Sequence, residues 1–166
     1  PKNIHLLSGP GCPVCVTPNH YLDKAIAYAR GKDTILATFG DMMRVPGSSS
    51  SLEKEKANGS DIRVVYSPDE VLNIAENNPK KKAILLGVGF ETTSPTIAVT
   101  VCEAEKKGLK NFFLLCGHKI IPPALEALVN TKELNVEGFI LPGHVSTIIG
   151  SLPYEFVAQK YNVPGV

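Results

Sequence analysis

Two thiols three positions apart, Cys12 and Cys15, stand inside the run Gly9-Pro10-Gly11-Cys12-Pro13-Val14-Cys15. A C-x-x-C pair can close to a disulfide and reopen, or it can offer two thiolates to a soft metal such as iron or zinc. Upstream, the apolar residues 4–7 read as a short buried strand. Downstream, Thr17-Pro18 has the residue types of an N-cap and a first helical position. The pair is therefore expected in a strand-to-helix turn, where backbone N–H groups and the positive end of a helix dipole favour thiolate. Two thiols do not complete a structural zinc site, and the chain holds no second C-x-x-C. A dithiol–disulfide couple or an incomplete iron site remains.

Other residues capable of chemistry follow predicted strands in the same way. Phe39-Gly40-Asp41 leads to Arg44, Gly89-Phe90-Glu91-Thr92-Thr93 carries a carboxylate and two hydroxyls, and Cys116-Gly117-His118 and Pro142-Gly143-His144-Val145-Ser146 each place a histidine after glycine. Imidazole can ligate a metal or move protons near neutral pH, so His118 and His144 read as functional. Cys116 reads either as a further rim thiol or as packing, and Cys102, within a helix, as core. Glu91 is either a working carboxylate or a helix-start charge, and Asp41 and Arg44 either serve the rim or pair with each other. His5 and His20 read as structural or surface residues. The glycines of Gly87-Val88-Gly89 superficially suggest a nucleotide site, but neither G-x-G-x-x-G nor a Walker lysine motif is present. A phosphate at the Thr92-Thr93 helix start is a minor alternative.

These motifs need elements to hold them. Strands are expected at residues 4–7, 34–38, 62–66, 83–88, 112–115 and 138–141. Helices are expected at residues 18–30, 68–77, 95–107, 122–129 and 154–161. Such alternation predicts an α/β fold of parallel sheets wound with helices. Thr17-Pro18, Ser67-Pro68 and Ser94-Pro95 each set a hydroxyl before a proline, and Ser67 with Glu70 has the pattern of a capping box. A seam at Pro79 divides the chain into lobes 1–79 and 80–166, the first carrying the C-x-x-C turn. In a parallel sheet the carboxyl ends of the strands share an edge, so the motifs should converge on one rim or on two facing rims. The polar stretch 47–59, with its serines and alternating Glu and Lys, is a loop, a frayed helix or a lid.

Composition sets the outer bounds. With 166 residues, 43% of them hydrophobic, the chain can bury a real core. A net charge of +1 and the absence of a basic stripe argue against nucleic acid as a partner. Lys80-Lys81-Lys82 reads as a solvated strand entrance. No apolar stretch reaches the length of a membrane span and no secretory signal is visible, so a cytoplasmic protein is expected. Four cysteines are too few for a disulfide scaffold, which fits a reducing compartment. The ends at Pro1 and Gly165-Val166 do not look like natural termini, and a piece of a longer protein is expected.

Taken together, Gly9-Pro10-Gly11-Cys12-Pro13-Val14-Cys15-Val16-Thr17-Pro18, Thr38-Phe39-Gly40-Asp41-Met42-Met43-Arg44-Val45-Pro46-Gly47, Gly89-Phe90-Glu91-Thr92-Thr93, Cys116-Gly117-His118 and Pro142-Gly143-His144-Val145-Ser146 resemble the HypD family of NiFe-hydrogenase maturation factors. The resemblance spans nearly the whole chain, in order. It implies two similar Rossmann-like lobes facing a cleft, and a scaffold on which the Fe(CN)2CO unit is assembled, with a HypC-like chaperone and a HypE-like cyanide donor as partners. By position, Cys12 and Cys15 match the family's redox pair, and Glu91, His118 and His144 match polar positions of its cleft. Iron ligands are then expected among Cys12, Cys15, Cys116 and His118, with Asp41, Arg44, Thr92 and Thr93 lining the bound unit. The resemblance also implies a Cys-Gly-Thr-His motif upstream of Pro1 and a C-terminal cysteine cluster carrying a 4Fe-4S centre, neither of them in this chain. Two other readings stand beside the scaffold: a general thiol–disulfide oxidoreductase, and a non-catalytic docking module for HypC- and HypE-type partners.

Overall fold

Four of the short apolar runs form one sheet. In the computed structural model, which describes residues 3–9, 11–131, 133 and 135–166, the strands are β1 (Thr34–Thr38), β2 (Ile62–Val64), β3 (Lys82–Gly87) and β4 (Phe112–Cys116). All pairs are parallel and the order is β2-β1-β3-β4, so the fold is α/β with a doubly covered parallel sheet. β1 is buried throughout and β3 at every residue after Lys82, as strands with helices on both faces must be. Pro10 of the cysteine motif lies outside the described residues.

The helices divide between the two faces according to their apolar stripes. On one face α1 (Asn19–Ala29) and α2 (Leu52–Ala57) set Leu22, Ile26 and Leu52 against Leu36 and Leu86 of the sheet. On the other, α3 (Glu70–Asn77) and α4 (Ser94–Lys106) set Val71, Ala75 and Ile97 against Ala37 and Leu85. A third cluster joins α5 (Ile121–Val129), α6 (Gly143–Ile149) and α7 (Glu155–Tyr161) through Leu125, Val145 and Val157. The sheet runs across Pro79, because β3 pairs directly with β1. The buried side chains thus fall into two clusters flanking one sheet and a third formed from residue 121 onward.

Several local expectations are corrected. Residues 4–7 have no ladder partner, and Ile4, Leu6 and Leu7 are 56%, 80% and 71% exposed rather than buried. Residues 138–141 form no full strand. Phe139 makes a single parallel bridge to Gly165, with Phe139 N–H donating to the Pro164 carbonyl and Leu141 N–H to that of Val166. Cys102 is exposed, since Ile97, Thr100 and Ala104 form the buried stripe of α4. The hydroxyl–proline caps also work differently. Pro18 stands at the N-cap of α1 and Thr17 turns back to donate to the Pro13 carbonyl, while Ser94 lies inside α4 and donates to the Phe90 carbonyl. Half of the capping box forms: Glu70 accepts from Ser67 N–H at 2.9 Å, but the Ser67 hydroxyl turns to Asp69.

The polar stretch 47–59 is fastened down. Ser51 caps α2 by accepting from Lys54 N–H, Pro46 bridges to Ser51, and Ser48 bonds Asp23 of α1 through both N–H and hydroxyl. Leu52 is buried in the core, and the buried Glu55 meets Arg30 in a bidentate pair at 2.8 and 3.0 Å. One apolar residue and one paired carboxylate bury this helix despite its polar composition.

Candidate functional site

The cysteine turn is tightened by its own backbone and pinned by one apolar residue. Val16 N–H donates to the Cys12 carbonyl and Thr17 N–H to that of Val14, while the buried Val14 packs into the core beneath α1. Cys12 rests half-buried against that core and Cys15 is exposed. Cys15 N–H donates to Cys12 Sγ at 3.2 Å. Both thiols are free and they are polarised in opposite senses. Cys12 is held below the ordinary thiol range, first by the hydrogen bond from the Cys15 side chain and then by the Cys15 N–H, with Asp41 opposing. Cys15 is raised, chiefly because it is the donor in that bond. Cys12 is therefore the more acidic thiol of the two, the asymmetry that lets a dithiol start exchange. The expected helix-start contribution is replaced by the turn itself: α1 begins at Asn19, and the donors to Cys12 come from Cys15.

Beyond β3 and β4 the parallel ladder continues as a rim. Gly117 N–H donates to the Gly87 carbonyl at 2.7 Å and Lys119 N–H to that of Gly89 at 2.9 Å. Ile121 N–H makes the next rung at 2.7 Å, but its acceptor is the side-chain Oε1 of Glu91. Pro122 and Pro123 lack N–H groups, so Glu91 accepts the first available amide of α5 and ties that helix to the end of β3. Glu91 is buried and its Oε2 has no protein partner. The backbone approach is close: a Cβ at Gly117 would lie 2.7 Å from the Tyr21 ring, and one at Gly87 would lie 3.1 Å from His118. Only glycine leaves room there.

Between the rungs this rim presents Cys116, His118 and Lys119. Cys116 Sγ lies 3.7 Å from His118 Nδ1. Burial, assisted by the neighbouring Lys119, pushes the His118 pKa down, so the ring is neutral at pH 7 and available as a base or ligand. Its Nε2 is buried without a protein partner. Lys119 Nζ donates to the Gly117 carbonyl at 2.9 Å and to the Thr17 hydroxyl at 3.4 Å, joining this rim to the cysteine turn. Tyr21 of α1 makes a second tie, its hydroxyl donating to the Leu115 carbonyl at 2.6 Å. An open apolar hollow of about 370 Å³ lies alongside, lined by Val16, Phe90, Lys119, Ile120, Ile121 and Ala124.

The remaining candidates are placed as follows. Asp41 sits in the 3₁₀ turn Gly40–Arg44 and its charge acts on Cys12; Arg44 pairs with Glu53 at 3.5 Å, not with Asp41. Thr92 is exposed, and the Thr93 hydroxyl donates to the Phe90 carbonyl. His144 is exposed in the first turn of α6. Among the described residues no three His, Cys, Asp or Glu side chains are grouped closely enough to hold a metal ion. Cys12 with Cys15 and Cys116 with His118 are thus two separate pairs. Tyr21 and Lys119 had no motif to mark them. Only the regular continuation of the ladder past Cys116 and the packing of α1 give them a role.

The whole chain, residues 1–166, matches the sequence model of HypD, described as the hydrogenase formation hypA family. Hydrogenase maturation factor HypD2 of Bradyrhizobium diazoefficiens is 46% identical, covering 100% of this chain and 46% of its own length. Hydrogenase maturation factor HypD of Escherichia coli is 42% identical, with 99% of this chain and 44% of the relative aligned. A putative hydrogenase expression/formation protein of Methanocaldococcus jannaschii is 43% identical, again over 100% of this chain and 46% of the relative. The chain thus spans a little under half the length of these relatives. With a matching model over every residue and relatives above 40% identity on its full length, the chain belongs to the HypD family of hydrogenase maturation factors.

Proposed function

We propose that this chain supplies the redox part of a scaffold that assembles the Fe(CN)2CO unit of NiFe-hydrogenase. The observation that carries the reading is the polarised dithiol, in which Cys15 N–H donates to the Cys12 sulfur and the two thiols are shifted in opposite directions. On closing to a disulfide, such a pair gives up two electrons and two protons overall, and Cys12, the more acidic thiol, loses its proton first. The iron unit is the substrate held while its cyanide and carbonyl ligands are set, and the dithiol keeps two reducing equivalents beside it. Soft thiolates suit low-valent iron. Cys12 and Cys15 then serve as the exchangeable pair, with Cys116 and His118 as further ligands and Glu91, His144, Asp41, Arg44, Thr92 and Thr93 around the bound unit.

Because no three ligating side chains are grouped among the described residues, we assign this chain a transient rather than a caging hold on iron. Completing the coordination, and relaying electrons through a 4Fe-4S centre, falls to the greater length of the relatives. A HypC-like chaperone and a HypE-like cyanide donor are the proposed partners, and the reducing cytoplasm the proposed compartment. No described helix is long and apolar enough to cross a membrane.

Anaerobic reconstitution with ferrous iron and cyanide, read by infrared detection of cyanide and carbonyl stretches, tests the reading on this chain and on a full-length relative. Bands in the full-length protein that disappear in the equivalents of Cys12→Ser and Cys15→Ser are expected. Bands unaffected by either substitution, or none at all in a protein that still reduces model disulfides, would overturn it in favour of a general oxidoreductase.

A further inference from the structure

Among the described residues β4 has no strand neighbour on its outer side, and the way α1 enters bears on what fits there. In a parallel sheet, a strand connected to the next through a helix crosses with one hand, so the covering face fixes the direction of travel. β2 to β3 and β3 to β4 advance from the β2 edge toward the β4 edge under α3 and α4 on one face. β1 to β2 moves the opposite way under α2 on the other face. α1 packs on that same second face and leads into β1, so a strand preceding α1 must lie on the β4 side of β1. β3 and β4 occupy the first two places there. The free one is the open edge of β4.

That edge is prepared for a strand. Asn111, Gly117 and Lys119 direct main-chain groups toward β3, so the alternate residues Phe112, Leu114 and Cys116 direct theirs outward, away from β3. The start of α1 is tied to β4, where Tyr21 bonds the Leu115 carbonyl. Residues 4–7 carry three aliphatic side chains, have no assigned secondary structure and leave Ile4, Leu6 and Leu7 exposed. Phe113 on β4 is likewise 44% exposed. An open apolar edge and an unpaired, exposed aliphatic segment in one chain are each unfavourable.

We infer that residues 4–7 dock as a fifth parallel strand on the free edge of β4, giving the order β2-β1-β3-β4 followed by 4–7. Docking ties both ends of the cysteine turn to one rim: residues 4–7 beside Cys116 at one end, Thr17 through Lys119 at the other. This inference rests on topology and stands whether or not the chain handles iron.

Amide hydrogen exchange on this chain, resolved by residue, tests it. Docking slows exchange at Phe112, Leu114 and Cys116, and at alternate residues of 4–7, by on the order of a hundredfold over unstructured peptide rates. Ladder amides alternate, so one of Leu6→Pro and Leu7→Pro removes a rung. That variant releases the β4 edge amides while leaving those of β1 unchanged. Unprotected amides at 4–7 and at the edge would overturn the inference. So would protection that vanishes on dilution, which assigns the edge to a second copy, or protection of β4 insensitive to both variants.

Discussion

Replacing Glu91 separates a positioning carboxylate from one that is merely near the rim. Its Oε1 accepts from the Ile121 N–H at 2.7 Å within a buried environment, and the two prolines that follow leave α5 no other amide in that part of its first turn. Glu91→Ala strands a buried N–H, which costs about 1–3 kcal/mol. For a domain of this size each kcal/mol moves Tm by about 2–4 °C, so the alanine variant should melt roughly 2–12 °C below wild type. Glu91→Gln keeps an oxygen at the same place and should recover most of that loss. Thermal denaturation followed by circular dichroism reads the global effect, and exchange of the Ile121 amide reads the rung itself. Equal Tm values for wild type and Glu91→Ala, or an Ile121 amide no faster in Ala than in Gln, would refute the assignment of Glu91 as the last rung.

Two further outcomes follow from the segment 47–59. Leu52 is 1% exposed inside the main core, so Leu52→Ala should cost about 2–5 kcal/mol in urea unfolding, whereas a floating lid would register almost nothing. Arg30 beside Glu55 lowers the Glu55 carboxyl from its ordinary value to about 2. A carboxylate lowered on folding stabilises the native state above its unfolded pKa and loses that contribution as pH falls. The stability gap between wild type and Glu55→Gln should therefore be constant above the ordinary value of 4.5 and shrink toward pH 2. A gap that widens on acidification would contradict the pairing.

The sheet was legible because β-branched and aliphatic runs such as Thr34–Thr38 have one low-energy solution when both faces are covered. Residues 4–7 carry a similar aliphatic pattern but form no strand pairing among the described residues, because an apolar run by itself does not fix which neighbour it pairs with. α2 was hidden for the opposite reason: a Ser, Glu and Lys composition masks one core leucine and an ion pair formed with Arg30, 25 residues away in sequence. The hydroxyl–proline signal marked helix starts correctly but not the caps, because Thr17 and Ser94 found nearer carbonyl partners. At the site, Cys12, Cys15, Cys116 and His118 were marked by type and spacing. The ladder rung of Glu91 and the bridge of Lys119 depend on register between strands, which no local motif encodes. The pairing of Arg44 with Glu53 rather than Asp41 is likewise a tertiary outcome.

Cys12 and Cys15 form an unequal pair in which Cys12 is the more acidic thiol. The direct measurement of that inequality is the alkylation rate of each cysteine as a function of pH, resolved by peptide mass spectrometry on the reduced chain and on Cys12→Ser and Cys15→Ser. Cys12 should react first and at a pH below the ordinary thiol value of 9.0, Cys15 later and above it, and Cys15→Ser should move Cys12 back upward. Two cysteines titrating together near the ordinary value, or Cys15 reacting first, would contradict it.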